Sequence, residues 1–332
     1  MNTQAMTAAD SNRQLPTSTL GGLLRHESVL ALLLLAALAI LSSRSEHFFT
    51  LDNLLNQGRL MTEVSLIALA MTFVIVTGGI DLSVGSIFGL AAVCMGVLWQ
   101  SAQLPLPVAI VLAVVIGMLA GLFNGLLITR FSVPPLIATL ATLMLYRGIA
   151  EGVSQGRSVR GYPDWFLNFA EAELLGIPCQ LLLLGICAIV AAVVLGFTSF
   201  GRATYAVGAN KTAAHFSGIH VQRTQLWIYA SSGTLAAAAA MLFVTRVSTT
   251  RSDMGAGLEL DAITAVVLGG SSIFGGRGTI VGTLLGLMLM QALKNGLVLA
   301  GVKGDGTIIV IGVVLIATIL MSNLFNRSHE RG

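Results

Sequence analysis

Few residues in this chain are placed to do chemistry. Asp81 stands in Thr77-Gly-Gly-Ile-Asp-Leu-Ser-Val-Gly-Ser86, an interruption between two long apolar runs. An ionisable group in such a place is costly in hydrocarbon and usually faces a cavity or a partner. Gly78 and Gly79 free the backbone, and Asp81 or Ser83 can accept from the unpaired N–H groups that open the next helix. A cap and a polar lining are both compatible with this pattern, because irregular backbone at membrane depth must be buried in protein or face water. A second break, Leu268-Gly-Gly-Ser-Ser-Ile-Phe-Gly-Gly-Arg-Gly278, looks at first like a phosphate cradle. It lacks the Lys-Ser/Thr ending of a P-loop and no strand precedes it. A tight turn between packed helices is its plain reading, and a polar lining near an inner exit is the sharper one.

Other chemistry finds little support. The five histidines, at 26, 47, 215, 220 and 329, fall in tails or loops, so no His/acid relay runs through the apolar spans. No nucleophile–base constellation is visible, which argues against a membrane enzyme. Cys94, Cys179 and Cys187 form no CxxC or Cys/His cluster, so a metal site is not expected; they read as small core residues. Glu63, Glu259 and Asp261 stand at the expected starts of apolar helices, where acids complement the helix dipole.

The elements that must position these residues are membrane spans. The chain has 332 residues, 55% hydrophobic and 10% charged, against about 25% charged in soluble domains. Its net charge of +3 gives no reason to expect nucleic acid. A helix needs roughly 20 apolar residues to cross, and about 17 can suffice. The charge-free runs are Ser28–Ser43, Val64–Ile80, Leu82–Thr129, Phe131–Tyr146, Leu174–Gly201, Thr224–Thr245, Ala262–Gly276, Gly278–Leu293 and Gly306–Asn326. The third is long enough for two spans and breaks at Gln100–Pro107. The expectation is an all-α polytopic membrane protein of about ten segments, or eight to nine if the short ones are half-helices. Residues 1–24 and 327–332 read as cytoplasmic tails and 25–326 as one transmembrane domain. The first apolar run lacks a small-residue cleavage pattern and reads as a retained span.

Gly117, Gly121 and Gly125 recur at four-residue spacing, as do Gly278, Gly282 and Gly286. Such ladders pack helices closely, within the chain rather than in a dimer. If spans two to five and seven to ten are equivalent, the ladders run in opposite senses, an inverted repeat. A rival register pairs Gly78-Gly79 with Gly269-Gly270. Lys and Arg divide evenly between the faces, so the positive-inside rule does not orient the chain.

Two hydrophilic stretches lie between spans, 151–178 and 199–223, and span parity puts them on opposite faces. The second, moderately basic and amphipathic, has Ala213, Ala214 and Phe216 between Gly208 and Gly218. It reads either as a helix lying at the headgroups or as a docking helix whose small side chains enter a partner's groove.

At this point the sequence resembles the permease subunits of ribose-type sugar ABC importers, a family that includes arabinose, xylose, rhamnose and autoinducer-2 systems. The resemblance runs from about Leu51 to Val302. It rests on four motifs in order: VIVTGGIDLSVGS; GLFNGLLI with VPPLIATLATLMLYRG; GRATYAVGANKTAAHFSGI; and LDAITAVVLGGSSIFGGRGTIVGTLLG. It implies a bundle of the vitamin B12-importer type, an inner N-terminus, a second permease, a cytoplasmic ATPase carrying ATP and Mg, and a periplasmic solute-binding protein. It implies residence in a bacterial inner membrane and no cofactor on this chain. Gly201, Arg202, Tyr205, Gly208, Asn210, Ala213, Ala214 and Gly218 become the candidate ATPase-coupling residues. Gly78, Gly79, Asp81, Ser83, Asn124, Ser271 and Ser272 become candidates for the solute path. A branched-chain amino-acid permease is the nearest rival, and an ATPase-independent secondary transporter the next.

Overall fold

The computed structural model describes residues 18–43 and 47–302, with Gly306, Ile309, Val310, Gly312, Val313 and Ile316 beyond them. Twelve α-helices occupy the described residues: α1 Ser18–Ser42, α2 Leu51–Val76, α3 Val84–Gln100, α4 Leu106–Thr129, α5 Pro135–Ser154, α6 Asp164–Leu167, α7 Cys179–Phe197, α8 Ser199–Ala209, α9 Lys211–Phe216, α10 Val221–Val247, α11 Leu258–Leu268 and α12 Ile280–Leu299. Six of them, α2, α4, α5, α7, α10 and α12, are long and apolar enough to cross a membrane; the apolar helices Glu27–Ser42 and Val84–Gln100 are shorter. The expected span Gly306–Asn326 falls largely outside the described residues, as do residues 1–17 and the C-terminal tail. α1 opens at Ser18, inside the stretch assigned from sequence to the tail.

The helix starts follow local chemistry. Thr50, Thr198 and Thr279 each accept an N–H from the first turn of the helix they open. Pro107 and Pro135 stand in the first turns of α4 and α5, where a missing N–H costs nothing. Glu63 is a correction. It is not at a helix start, because α2 opens at Leu51; Glu63 is buried mid-helix, where its carboxylate accepts from Arg246 of α10 at 2.9 Å. Glu259 and Asp261 do fall in the first turn of α11, and Asp261 pairs with Lys294 of α12 at 2.7 Å.

The core is built around α10, which packs on α2, α3 and α4. Its run of small residues, Ala236, Ala237, Ala239 and Ala240, is fully buried. α4 meets it through its glycine ladder. A Cβ at Gly117 would lie 2.7 Å from the Gly233 carbonyl, one at Gly121 3.0 Å from the Gly233 nitrogen, and one at Gly125 3.1 Å from Leu226 Cα. The first ladder therefore packs inside the chain. In the second, Gly282 and Gly286 press on α11 at Gly269 and Ala265, whereas Gly278 precedes α12 and packs against Ser271 and Val76. The outward faces of α4, α5 and α7 carry Val111, Leu119, Ile137, Met144, Ile189 and Val190, an apolar belt suited to lipid.

The all-α expectation needs one small addition. Two antiparallel two-residue ladders lie in the connections: β1 Val159–Arg160 with β4 Thr249–Thr250, and β2 Glu173–Leu174 with β3 Ile177–Pro178. Pairing β1 with β4 brings the 151–178 connection onto the C-terminal end of α10, while α8 and α9 precede its N-terminal end. Trp99 of α3 stacks on Tyr162 at 4.7 Å and Phe166 flanks it at 5.6 Å. Burial pushes the Tyr162 phenol up to about 12.

Candidate functional site

Both breaks begin with the same stop signal. α2 ends as Gly78 N–H bonds Ile75 O and Gly79 N–H bonds Val74 O, with Gly78 at φ +73°. α11 ends as Gly270 N–H bonds Val267 O and Ser271 N–H bonds Val266 O, with Gly270 at φ +89°. Each is a Schellman closure, which needs a left-handed residue and so selects glycine. The likeness of the two breaks is thus a shared helix terminator.

Past Gly79 the chain enters a closed polar network. Asp81 Oδ1 accepts from Ser83 N at 3.0 Å and from Ser83 Oγ at 2.7 Å, and its Oδ2 accepts from Ser232 Oγ of α10 at 2.9 Å. Ser83 Oγ also accepts from Asn124 Nδ2 of α4 at 2.7 Å. The Tyr146 hydroxyl of α5 bonds Ala120 O at 2.8 Å and reaches Asn124 Oδ1 at 3.3 Å. Thr139 of α5 donates to Ile80 O at 3.0 Å. Asp81, Ser83 and Asn124 are all fully buried, and among the described residues no ion pair reaches Asp81. Asp81 accepts the N–H of Ser83, which occupies the N-cap position of α3, and the Ser83 side chain makes no cap bond, so neither residue pairs with a first-turn N–H of α3. The Tyr229 hydroxyl, fully buried and without a hydrogen-bond partner, points at Gly79, where a Cβ would lie 2.5 Å away.

Three of the candidate path residues, Asp81, Ser83 and Asn124, thus meet in one network. Ser232, Tyr146 and Thr139 join them, with the unpaired Tyr229 hydroxyl beside Gly79, and none of the four was singled out from sequence. Ser232 sits in an apolar, alanine-rich helix, where a buried hydroxyl has to find a partner; that was the available signal. Ser271 and Ser272 lie apart from Asp81. Ser272 N–H bonds Arg277 O at 2.9 Å, closing the second break, while the buried Ser271 hydroxyl has no partner and faces Gly278.

The 199–223 connection forms α8 and α9. Gly201 is buried against the end of α7. The Tyr205 hydroxyl donates to Gly278 O at 2.7 Å. Gly208 abuts Val76 and Gly276, whose N–H bonds Val76 O at 2.8 Å. Asn210 caps α9 by accepting from Ala213 N at 2.9 Å. Gly218, at φ +82°, closes α9 in open space. Arg202 and Ala213 face outward, and Phe216 is 85% exposed. Ala214 turns the other way and is 4% exposed. The exposed residues of α9 are thus Lys211, Thr212, Ala213, His215 and Phe216.

At the opposite end of α10 a cavity of about 440 Å³ is lined by Glu151, Arg157, Ser158, Arg160, Arg251 and Asp253. Arg251 pairs with Asp253. Arg147 of α5 donates to the carbonyls of Ser252, a lining residue, and of Met254.

Residues 53–319 match the family model described as branched-chain amino acid transport system / permease component. The chain is 38% identical over 300 residues, 89% of its length and 91% of theirs, to the autoinducer 2 import system permease protein LsrD of Escherichia coli (strain K12), of Shigella flexneri and of Escherichia coli O157:H7. No solved structure matches it.

Proposed function

The chain belongs to the family of permease components of branched-chain amino acid transport systems, and from that premise we propose that it is the membrane-spanning subunit of an ATP-driven importer for a monosaccharide-like solute of the autoinducer 2 class. It is a non-catalytic, multi-pass membrane subunit. The cargo class rests on the relatives at 38% identity, each named for autoinducer 2 import. A neutral cargo also suits a network in which Asp81 is the one ionisable acid and hydroxyls and amides make up the rest of its partners. The family description keeps branched-chain amino acids as the second reading.

The observation that carries the mechanism is the outward row on α9, seated on a helix, α8, that touches both breaks. A cytoplasmic ATPase, which binds the ATP and Mg, docks on Lys211, Ala213 and Phe216. A periplasmic binding protein delivers solute at the other face, where Arg157 and Arg160 line the open cavity. A second permease completes the core. Ten spans in the vitamin B12-importer arrangement, with an inverted repeat across spans two to five and seven to ten, account for the chain in a bacterial inner membrane. The α4–α10 contact then has its counterpart between α12 and α2, where the Thr72 and Thr283 hydroxyls meet at 2.8 Å. Uptake of labelled solute into proteoliposomes holding the permease, its ATPase and its binding protein tests this reading. ATP-dependent uptake is expected; uptake that proceeds without ATP would establish the secondary transporter instead.

A further inference from the structure

The helix that carries the proposed docking element, α8, is in direct backbone contact with the second break and with the end of α2, with no side-chain layer between them. A Cβ on Gly208 would lie 2.5 Å from Gly276 N, and one on Gly275 would lie 2.8 Å from both Gly208 O and Gly78 N. Gly276 N–H bonds Val76 O at 2.8 Å, joining the second break to the end of α2. The Tyr205 hydroxyl holds Gly278 O at 2.7 Å, one residue before Thr279 caps α12. Thr279 in turn donates to Glu27 of α1. Four elements, α1, α2, α8 and α12, thus meet at the two breaks, with α8 between α9 and the rest. Packed backbones rearrange between discrete arrangements rather than deform smoothly.

We propose that Tyr205 and Gly208 are positioning residues that clamp α8 to both glycine breaks, so that α8, Gly78 and 275–278 move as one block when the ATPase displaces α9. Displacement of that block pulls on Ile80 and Asp81, and through Thr139, Ser232 and Asn124 on α5, α10 and α4. Gly208 sets the distance of approach, and the Tyr205 hydroxyl is the removable fastening. Without it α8 slides over the second break, and hydrolysis is spent without moving solute.

This inference rests on the ATP-driven reading, and the test separates the two. The full importer is reconstituted in liposomes, and solute moved per ATP hydrolysed is measured. If the unaltered importer shows no ATP-dependent uptake, the functional reading fails. If it does, Tyr205→Phe is expected to lower the transport-to-hydrolysis ratio at least about fivefold, the lower end of ordinary coupling energies, while the ATPase still co-purifies. An unchanged ratio overturns the clamp. In a background lacking Cys94, Cys179 and Cys187, Ala209→Cys with Gly276→Cys supplies the second test. A Cβ at Gly276 would lie 3.5 Å from that of Ala209, within disulfide reach. Oxidation is expected to form the cross-link and leave uptake intact, because a block that moves together is not hindered by a bond inside it. Failure to cross-link, or uptake that stops on oxidation and returns on reduction, contradicts the proposal. Should the reduced pair not transport, Tyr205→Phe alone decides.

Discussion

Along the α4–α10 seam the glycines are helical and set a distance; in the two breaks Gly78 and Gly270 are left-handed and set a direction. Gly117, Gly121 and Gly233 let two backbones touch, and a side chain on any of them would push the helices apart. Gly78 and Gly270 end α2 and α11 in a conformation other residues adopt only under strain. The seam is a scaffold, and the breaks are where the chain can hinge beside a buried carboxylate. The same residue type should therefore fail in two ways, through loss of fold at the seam and loss of transport at the breaks.

The largest effect is expected at the seam. Gly121→Leu forces its side chain into the Tyr229–Gly233 backbone and should cost about 3 kcal/mol or more, seen as loss of monodisperse protein in detergent. A stable, well-behaved Gly121→Leu would mean the seam is looser than drawn. At the breaks, Gly78→Ala should cost only about 1–2 kcal/mol, the strain of a left-handed alanine, because its Cβ would meet the Phe274 carbonyl at 3.3 Å. Transport should fall further than thermal stability does; equal losses would erase the distinction between seam and hinge. Next comes Asp81. Asn can still accept from Ser83 N through its Oδ1 and donate its Nδ2–H to the Ser232 hydroxyl, whereas Leu would leave Ser83 and Ser232 short of partners at about 1–3 kcal/mol for each unsatisfied group. Asp81→Leu should thus be worse in melting temperature and uptake than Asp81→Asn, and equal tolerance of both would argue that the network is idle. The smallest effect is expected on α5, where Gly148 and Gly152 face open space. Alanine there should be neutral or stabilise by roughly 0.5–1 kcal/mol. Impaired assembly in either variant would mark that face as the seat of the second permease.

Much of this was legible in the charge-free runs, which locate α4, α7, α10 and α12 because membrane helices must be long and apolar. The glycine breaks were legible too, since Gly78 and Gly270 serve a local need that local sequence can announce. Glu63 was misread because the first turns of α2 carry Asp52, Asn53, Gln57 and Arg59, a polar stretch that hides a helix. Its partner Arg246 lies 183 residues away, beyond any local pattern. Ser232, Tyr146 and Tyr229 went unmarked for the same reason, as their meaning depends on which helices adjoin. The orientation of Ala214 depends on the phase of a six-residue helix against the body of the protein. Composition names the small residues of α9 but not the face they turn to.

The account depends most on α9 being the face that meets the ATPase. Ala213 is exposed and Ala214 is not, so one substitution reaches a partner and the other the chain's own interior. Trp at the first position should leave the permease inserted and folded, yet abolish co-purification of the ATPase and with it ATP-dependent uptake. A helix that merely lay at the headgroups would accept Trp readily. The decisive measurement is therefore ATPase co-purification with Ala213→Trp: lost assembly on a folded permease is the expected result, and full assembly with full uptake would contradict the docking role of α9.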